Sequence, residues 1–131
     1  MSQRLKLFFD GGCRPNPGQM EIAVVAAGRT EIVRDLGLGT SLDAEWLALI
    51  QALKTAQSLC AGSPVDAGFV LLGDAANVIG QATGLATCRG SALRHLEAFR
   101  AMASVGPPPR VRYIKRSQNL AGIALSRMQD R

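Results

Sequence analysis

Histidine is nearly missing from this chain: His95 is the only one in 131 residues. That removes most histidine-based catalytic triads and His-rich metal sites from consideration. Cysteine is scarce as well. Cys13, Cys60 and Cys88 are odd in number and lack C-x-x-C spacing, which argues against a zinc site or a disulfide scaffold and for free thiols in a reducing cytosol. No apolar run approaches the ~20 residues needed to span a bilayer, and the N-terminus carries no signal-peptide pattern. Secretion, membrane insertion and membrane partners are not expected; a cytoplasmic location is. Internal repeats and low-complexity tails are also missing. What remains is a chain with 47% apolar and 19% charged residues, the balance of a folded globular protein. A single domain over residues 1–131 is expected, and a monomer, with roughly two thirds of the unfolded surface buried in one core.

Acidic charge is in the minority. The net charge of +5 and a pI near 9.7 favour a polyanionic partner. Arg110, Arg112, Lys115, Arg116, Arg127 and Arg131 crowd the last 22 residues, opposed only by Asp130. A phosphate-binding face and a merely solvated basic helix face both fit that crowding.

The stretch Phe8-Phe9-Asp10-Gly11-Gly12-Cys13-Arg14-Pro15-Asn16-Pro17-Gly18 organises the rest. Leu5, Leu7, Phe8 and Phe9 make a short apolar run that suits a buried strand, stopping at Asp10 before two glycines and a Pro-Asn-Pro-Gly turn. A carboxylate at a buried strand end followed by Gly-Gly leaves N–H groups open to a phosphate or a metal-bound oxygen. Asp10 also fits the plainer role of starting a turn. Met20–Ala27 and Glu31–Leu38 read as further strands joined by Gly28-Arg29-Thr30, an antiparallel meander of three with the first. Thr40 or Ser41 caps the longest helical pattern, whose stripe Trp46, Leu49, Ile50, Leu53 and Gln57 is expected to face the sheet and which ends near Ala61-Gly62, before Ser63-Pro64. Glu45 lies in its first turn. Ala67–Leu72 is a continuous apolar run, a central strand, and it too ends in a carboxylate, Gly73-Asp74. A short helix over Asn77–Ala82, a helix over Ser91–Ser104 with Leu93, Leu96, Ala98, Phe99 and Met102 inward, a stiff break at Gly106-Pro107-Pro108-Pro109, an edge strand over Arg110–Ile114 and a last helix from about Gln118, with Leu125 and Met128 inward, complete the order β-β-β-α-β-α-α-β-α. Trp46, Phe99 and Tyr113 read as core and His95 as an ordinary helix residue. The fold class is α/β: a five-stranded mixed sheet with helices packed on it.

Asp10, Glu45 and Asp74 come from three separate elements that can converge at one end of such a sheet. Carboxylates without histidine or thiolate favour hard ions such as Mg²⁺ or Mn²⁺. Two such ions clamp a phosphodiester, one activating water and one stabilising the leaving oxygen.

Four motifs in order make a resemblance specific. Asp10-Gly11-Gly12-Cys13-Arg14-Pro15-Asn16-Pro17-Gly18, Thr40 with Ala44-Glu45, Gly73-Asp74 with Val78-Ile79, and Arg116-Ser117-Gln118-Asn119 with Leu125 are similar to the signatures of the type 1 ribonuclease H family, over nearly the whole chain. The resemblance implies a ribonuclease H-like fold and divalent-metal-dependent endonucleolytic hydrolysis of the RNA strand of an RNA–DNA hybrid. It implies that Asp10, Glu45 and Asp74 are catalytic metal ligands, with two Mg²⁺ or Mn²⁺ ions when substrate is bound. It also implies that Gly11, Gly12, Cys13, Asn16, Thr40, Arg116 and Asn119 contact substrate, where a 2′-hydroxyl tells RNA from DNA.

The chain departs from the family in its last helix. The family has Ala-Asp-x-Leu there, its aspartate a fourth metal ligand; here Gly122-Ile123-Ala124-Leu125 stands, with Ile123 in the aspartate's place. Weaker metal binding or a slower chemical step is implied. Asp130 lies seven residues later, about 10 Å along a helix axis, too far to substitute without rearrangement. The family's loop histidine is also missing, with Arg116 or Ser117 in its place, and only Arg89 is cationic between Gly84 and Ser91, so substrate affinity is expected to rest on the C-terminal cations. The alternative reading is a catalytically silent hybrid-binding domain on the same fold, which Ile123 favours and the three acids oppose. A nuclease for another nucleic acid and a structural role complete the range.

Overall fold

The computed structural model describes residues 4–61, 68–106 and 109–129. Three long strands form a meander: β1 (Leu5–Cys13), β2 (Gly18–Ala26) and β3 (Arg29–Val33). The two-residue strand β4 (Leu38–Gly39) pairs with the start of β2. Helix α1 (Ser41–Cys60) leads to β5 (Phe69–Gly73), then α2 (Ala76–Ala82), α3 (Ser91–Ala103), β6 (Arg110–Tyr113), a single 3₁₀ turn at Arg116–Gln118 and α4 (Leu120–Gln129). The sheet order is β3-β2-β1-β5-β6, with β1 antiparallel to β2 and parallel to β5, and β5 parallel to β6. This is the α/β order expected from the sequence, with β4 added.

Alternation along the strands separates the two faces. Leu7 and Phe9 of β1, Ile22 and Val24 of β2, and Phe69 and Leu71 of β5 join α1 and α3 in the main core. The opposite face is covered by α4, whose Ala121 and Leu125 meet Ala23, with Phe8, Val25 and Met128 around them. Continuous burial of β5 reflects its place inside the sheet. Helix α1 starts on a capping box: the Thr40 hydroxyl accepts from the Asp43 N–H at 3.2 Å, and the Asp43 carboxylate accepts from the Thr40 N–H at 3.2 Å.

Several local expectations are corrected. The first strand does not stop at Asp10; it continues through Gly11 and Gly12 to Cys13, pairing with Met20, Glu21 and Ile22. The hairpin turn is Ala27-Gly28, both at positive φ, because a two-residue turn of that kind matches the twist of the flanking strands. The third strand ends at Val33, short of Leu38. Trp46 is fully buried but turns toward the other helices: its ring stacks on His95 and meets Phe99 edge-on, and its N–H donates to Gln81 at 2.8 Å. Gln57 likewise donates to the Met102 carbonyl, not to the sheet. On α3 the buried stripe is Ala92, Leu96 and Phe99, while Leu93 and Ala98 are exposed. Tyr113, expected in the core, is 58% exposed at the end of the edge strand. The expectations at Gly62-Ser63-Pro64, Ala67, Pro107-Pro108, Asp130 and Arg131 lie outside the described residues.

Gly11 fixes how closely α1 approaches the sheet. A Cβ there would lie 2.1 Å from the Ala44 carbonyl oxygen and 2.8 Å from the Glu45 nitrogen, both backbone atoms of α1. Gly11→Ala must therefore push the helix off the strand. Denaturant unfolding is expected to show a loss of about 2 kcal/mol or more, as overpacking at a rigid contact costs; an unchanged midpoint would show that the helix is free to shift.

Candidate active site

The parallel pairing of β1 with β5 runs to Phe8 opposite Leu72, and two steps further brings Asp10 alongside Asp74, just past the end of β5. The two carboxyl groups lie near enough for the charge of Asp74 to raise the Asp10 pKa. Glu45 arrives from the other side, carried by α1 immediately after the residue whose carbonyl presses on Gly11. All three carboxylates line one cavity of about 490 Å³, together with Gly11, Gly12, Cys13, Arg14, Ser41, Tyr113, Arg116, Gly122, Leu125 and Ser126. It opens beyond the C-terminal ends of the parallel strands, where open α/β sheets place their ligand sites.

Asn119 braces this arrangement from α4. It is fully buried, and its amide donates to the Phe9 carbonyl at 3.0 Å and to the Asp74 carboxylate at 3.3 Å, while its side-chain oxygen accepts from the Ala121 N–H at 3.1 Å. One side chain thus ties β1, the acid after β5 and the first turn of α4. Its expected contact with substrate is corrected accordingly: a fully buried Asn119 positions Asp74.

The electrostatics follow from this gathering of acids. Burial, then the charges of Asp74 and Glu45, raise the Asp10 pKa to about 7, with Arg116 pulling the other way. Burial and the charge of Asp74 raise Glu45 to about 7 as well. Among the described residues, no three His, Cys, Asp or Glu side chains are drawn together tightly enough to form a ready-made cation cage. The donor set nonetheless suits a hard divalent cation: oxygen only, anionic, and held at a cost that bound positive charge relieves.

The remaining sequence candidates divide. Gly11, Gly12, Cys13 and Arg116 line the cavity. Asn16 and Thr40 do not; Asn16 holds the start of α1, donating to the Ser41 hydroxyl and accepting from its N–H, both at 3.1 Å, and Thr40 caps the helix. Ile123 is 36% exposed and stays outside the lining, whereas its neighbour Gly122 backs onto Asp10, with 3.5 Å between a Cβ placed there and Asp10 Oδ2. Sequence reasoning missed Arg14, Ser41, Tyr113, Gly122, Leu125 and Ser126 as lining residues. Arg14 lay within the first motif; nothing in local sequence marked Ser126.

Neither a family model nor a curated protein matches the sequence. Solved structures do match the fold. A mixed sheet in this order with carboxylates at the ends of its central strands defines a ribonuclease H-like α/β protein. More narrowly, the chain has the fold of the ribonuclease H1 family. The ribonuclease H1 of the halophilic archaeon Halobacterium salinarum NRC-1 is 25% identical, aligning over 98% of this chain and 100% of its own at a TM-score of 0.81. LC11 ribonuclease H1, solved in complex with an RNA/DNA hybrid, is 25% identical over 89% of each chain, TM-score 0.78. The N-terminal ribonuclease H domain of a Mycobacterium tuberculosis protein is 23% identical over 98% of each chain, TM-score 0.77.

Two measurements probe the site's physics. Asp10 and Glu45 bind protons more tightly folded than unfolded. Their contribution to stability is therefore fully present below ~4 and is lost as pH rises through about 7. The melting temperature of the metal-free protein is expected to fall over that window, and Asp10→Asn to flatten the fall; a profile that rises from pH 5 to 8 in both proteins would contradict the raised values. Asn119→Ala leaves the Phe9 carbonyl and Asp74 without their donor, and chemical denaturation should show a loss of about 1–3 kcal/mol.

Proposed function

We propose that this protein is a divalent-cation-dependent endonuclease that hydrolyses the RNA strand of RNA–DNA hybrids. The observation that carries the reading is the convergence of Asp10, Glu45 and Asp74, from three elements, on one cavity of a ribonuclease H1 fold. That one neighbour of this fold was solved with an RNA/DNA hybrid supports the substrate.

Asp10, Glu45 and Asp74 would hold Mg²⁺ or Mn²⁺, two ions with substrate bound. Bound there, such ions supply an activated water and charge stabilisation for the leaving oxygen. The chain's own residues do the rest. Gly12, without a side chain, lets a sugar–phosphate backbone approach β1, and Arg14 and Arg116 on the lining offer charge-assisted hydrogen bonds to phosphate oxygens. Asn119 keeps Asp74 from swinging away. Gly122 leaves Asp10 room on the α4 side, where no fourth acid stands. The protein is read as a cytoplasmic monomer; among the described residues no helix is long and apolar enough to cross a membrane.

Ile123 favours one other reading, a hybrid-binding domain without turnover. An end-labelled hybrid incubated with Mg²⁺ or Mn²⁺ separates the two. Cleavage of the RNA strand alone, lost in Asp10→Asn, establishes the enzyme; retained binding with no cut under either ion leaves the binder. If the enzyme is active, Ile123→Asp is expected to raise kcat/KM by about tenfold at limiting metal, the size of one charge-assisted interaction of ~1.4 kcal/mol.

A further inference from the structure

One stretch of the second face of the sheet lies beyond the main contacts of α4. Helix α4 packs on β1, β2 and β3, and among the described residues makes no comparable contact with β5 or β6. The register shows what lies there. Lys6 stands opposite Val70, and Val70 opposite Arg110; one step on, Phe8 stands opposite Leu72, and Leu72 opposite Arg112. Laterally paired residues share a face, and Phe69, Leu71 and Val111 point the other way, into the main core. Lys6, Arg110 and Arg112 therefore project from the same side. All three are exposed, and none has a carboxylate within ion-pair distance among the described residues. Arg110 and Arg112 are about 6.6 Å apart along β6, and Lys6 sits two strands over, about 9.5 Å away.

These rows lead straight to the acidic cavity. The next pair in the same alternation after Phe8 and Leu72 is Asp10 and Asp74, and Arg116 on the cavity wall follows β6 after Lys115. Three neighbouring cations with no carboxylate partner among the described residues repel one another, and an anion lying across them relieves that. Val70 and Leu72 between them are buried, at 6% and 9% exposed, so what this stretch presents to solvent is its basic side chains.

We infer that this basic stretch of the sheet, carrying Lys6, Arg110 and Arg112, is a second nucleic-acid contact that holds the phosphodiester backbone of a single strand running on from the nucleic acid seated at the acidic cavity. The inference rests on the proposed hybrid substrate for its direction. Its chemistry is that of single-strand grooves, where basic side chains track the backbone independently of sequence. Charges on an edge strand also discourage edge-to-edge pairing; that role alone predicts self-association of a neutralised variant and unchanged binding.

The test compares the protein with a Lys6→Gln/Arg110→Gln/Arg112→Gln variant, both in an Asp10→Asn background, by fluorescence anisotropy. The probes are a blunt RNA–DNA hybrid, the same hybrid with a single-stranded RNA or DNA extension at either end, and the extension alone. An extension should tighten binding by about tenfold, and in the variant the ratio of extended to blunt affinity should fall to about one; the salt slope for the extended probe should fall by about 2, from three contacts at ~0.7 each. Arg110→Lys/Arg112→Lys, which keeps the charge, should retain the gain and guards against a folding artefact. An extension that adds nothing, or a gain that survives in the variant, overturns the inference. If the blunt hybrid fails to bind, the hybrid reading falls, and the extension alone still decides: weaker binding by the variant upholds the face, equal binding rejects it.

Discussion

Everything at the site depends on the close contact between Gly11 and the Ala44 carbonyl. A hydrogen at the α-carbon of residue 11 lets the first turns of α1 lie against β1 with no side chain between them. The residues on either side of that contact are Asp10 and Glu45. A strand and a helix that met through ordinary side chains would hold their backbones about 10 Å apart, and the two carboxylates would address different solvent. Contact at backbone distance instead places them on one cavity, where burial and mutual charge raise both pKa values to about 7.

Asn119 is the complementary restraint. It reaches from the start of α4 to the Phe9 carbonyl across 110 residues of sequence and to Asp74 across 45. The amide is suited to this: two N–H groups for two oxygens, and a carbonyl left to cap the Ala121 N–H. A buried aspartate there would set a fourth charge against Asp74, and a leucine would leave the Phe9 carbonyl unpaired. The acids are therefore held by a close contact on one side of the sheet and a hydrogen-bonded network on the other.

Much of this was legible in the sequence. Asp10 and Asp74 follow apolar strand runs and Glu45 sits one turn after a Thr cap, so their convergence follows from element order. The misreadings have physical causes. Gly11-Gly12 read as a strand breaker because glycine weakens strands in isolation, yet here the strand continues because the helix needs the space. Tyr113 alternates correctly with Val111 but stands past the end of the core, where the cavity takes over. The burial of Asn119 left no local signal, since a polar residue beside Gln118 in the first turn of a helix reads as solvated. Ser126 lines the cavity because α4 crosses β1 at Gly122, which is a tertiary fact.

An acid added beside Gly122 on α4 would have two opposed effects. Each added carboxylate raises the pKa of those already present, since like charges in a partly desolvated cavity cannot all ionise cheaply. Two of the three acids already stand near 7, so a fourth would push the metal-free site further toward protonation and make the fold less stable at neutral pH. With three, the metal-free protein keeps a less strained site but attracts a cation less strongly. Arg116 tips this further: it lowers the Asp10 pKa and so competes with bound positive charge for the same carboxylate. On the proposed function, a phosphate that engages Arg116 would release Asp10 to a cation and add oxygen donors of its own. On this balance, cation and nucleic acid are expected to bind with positive coupling, each weakly alone.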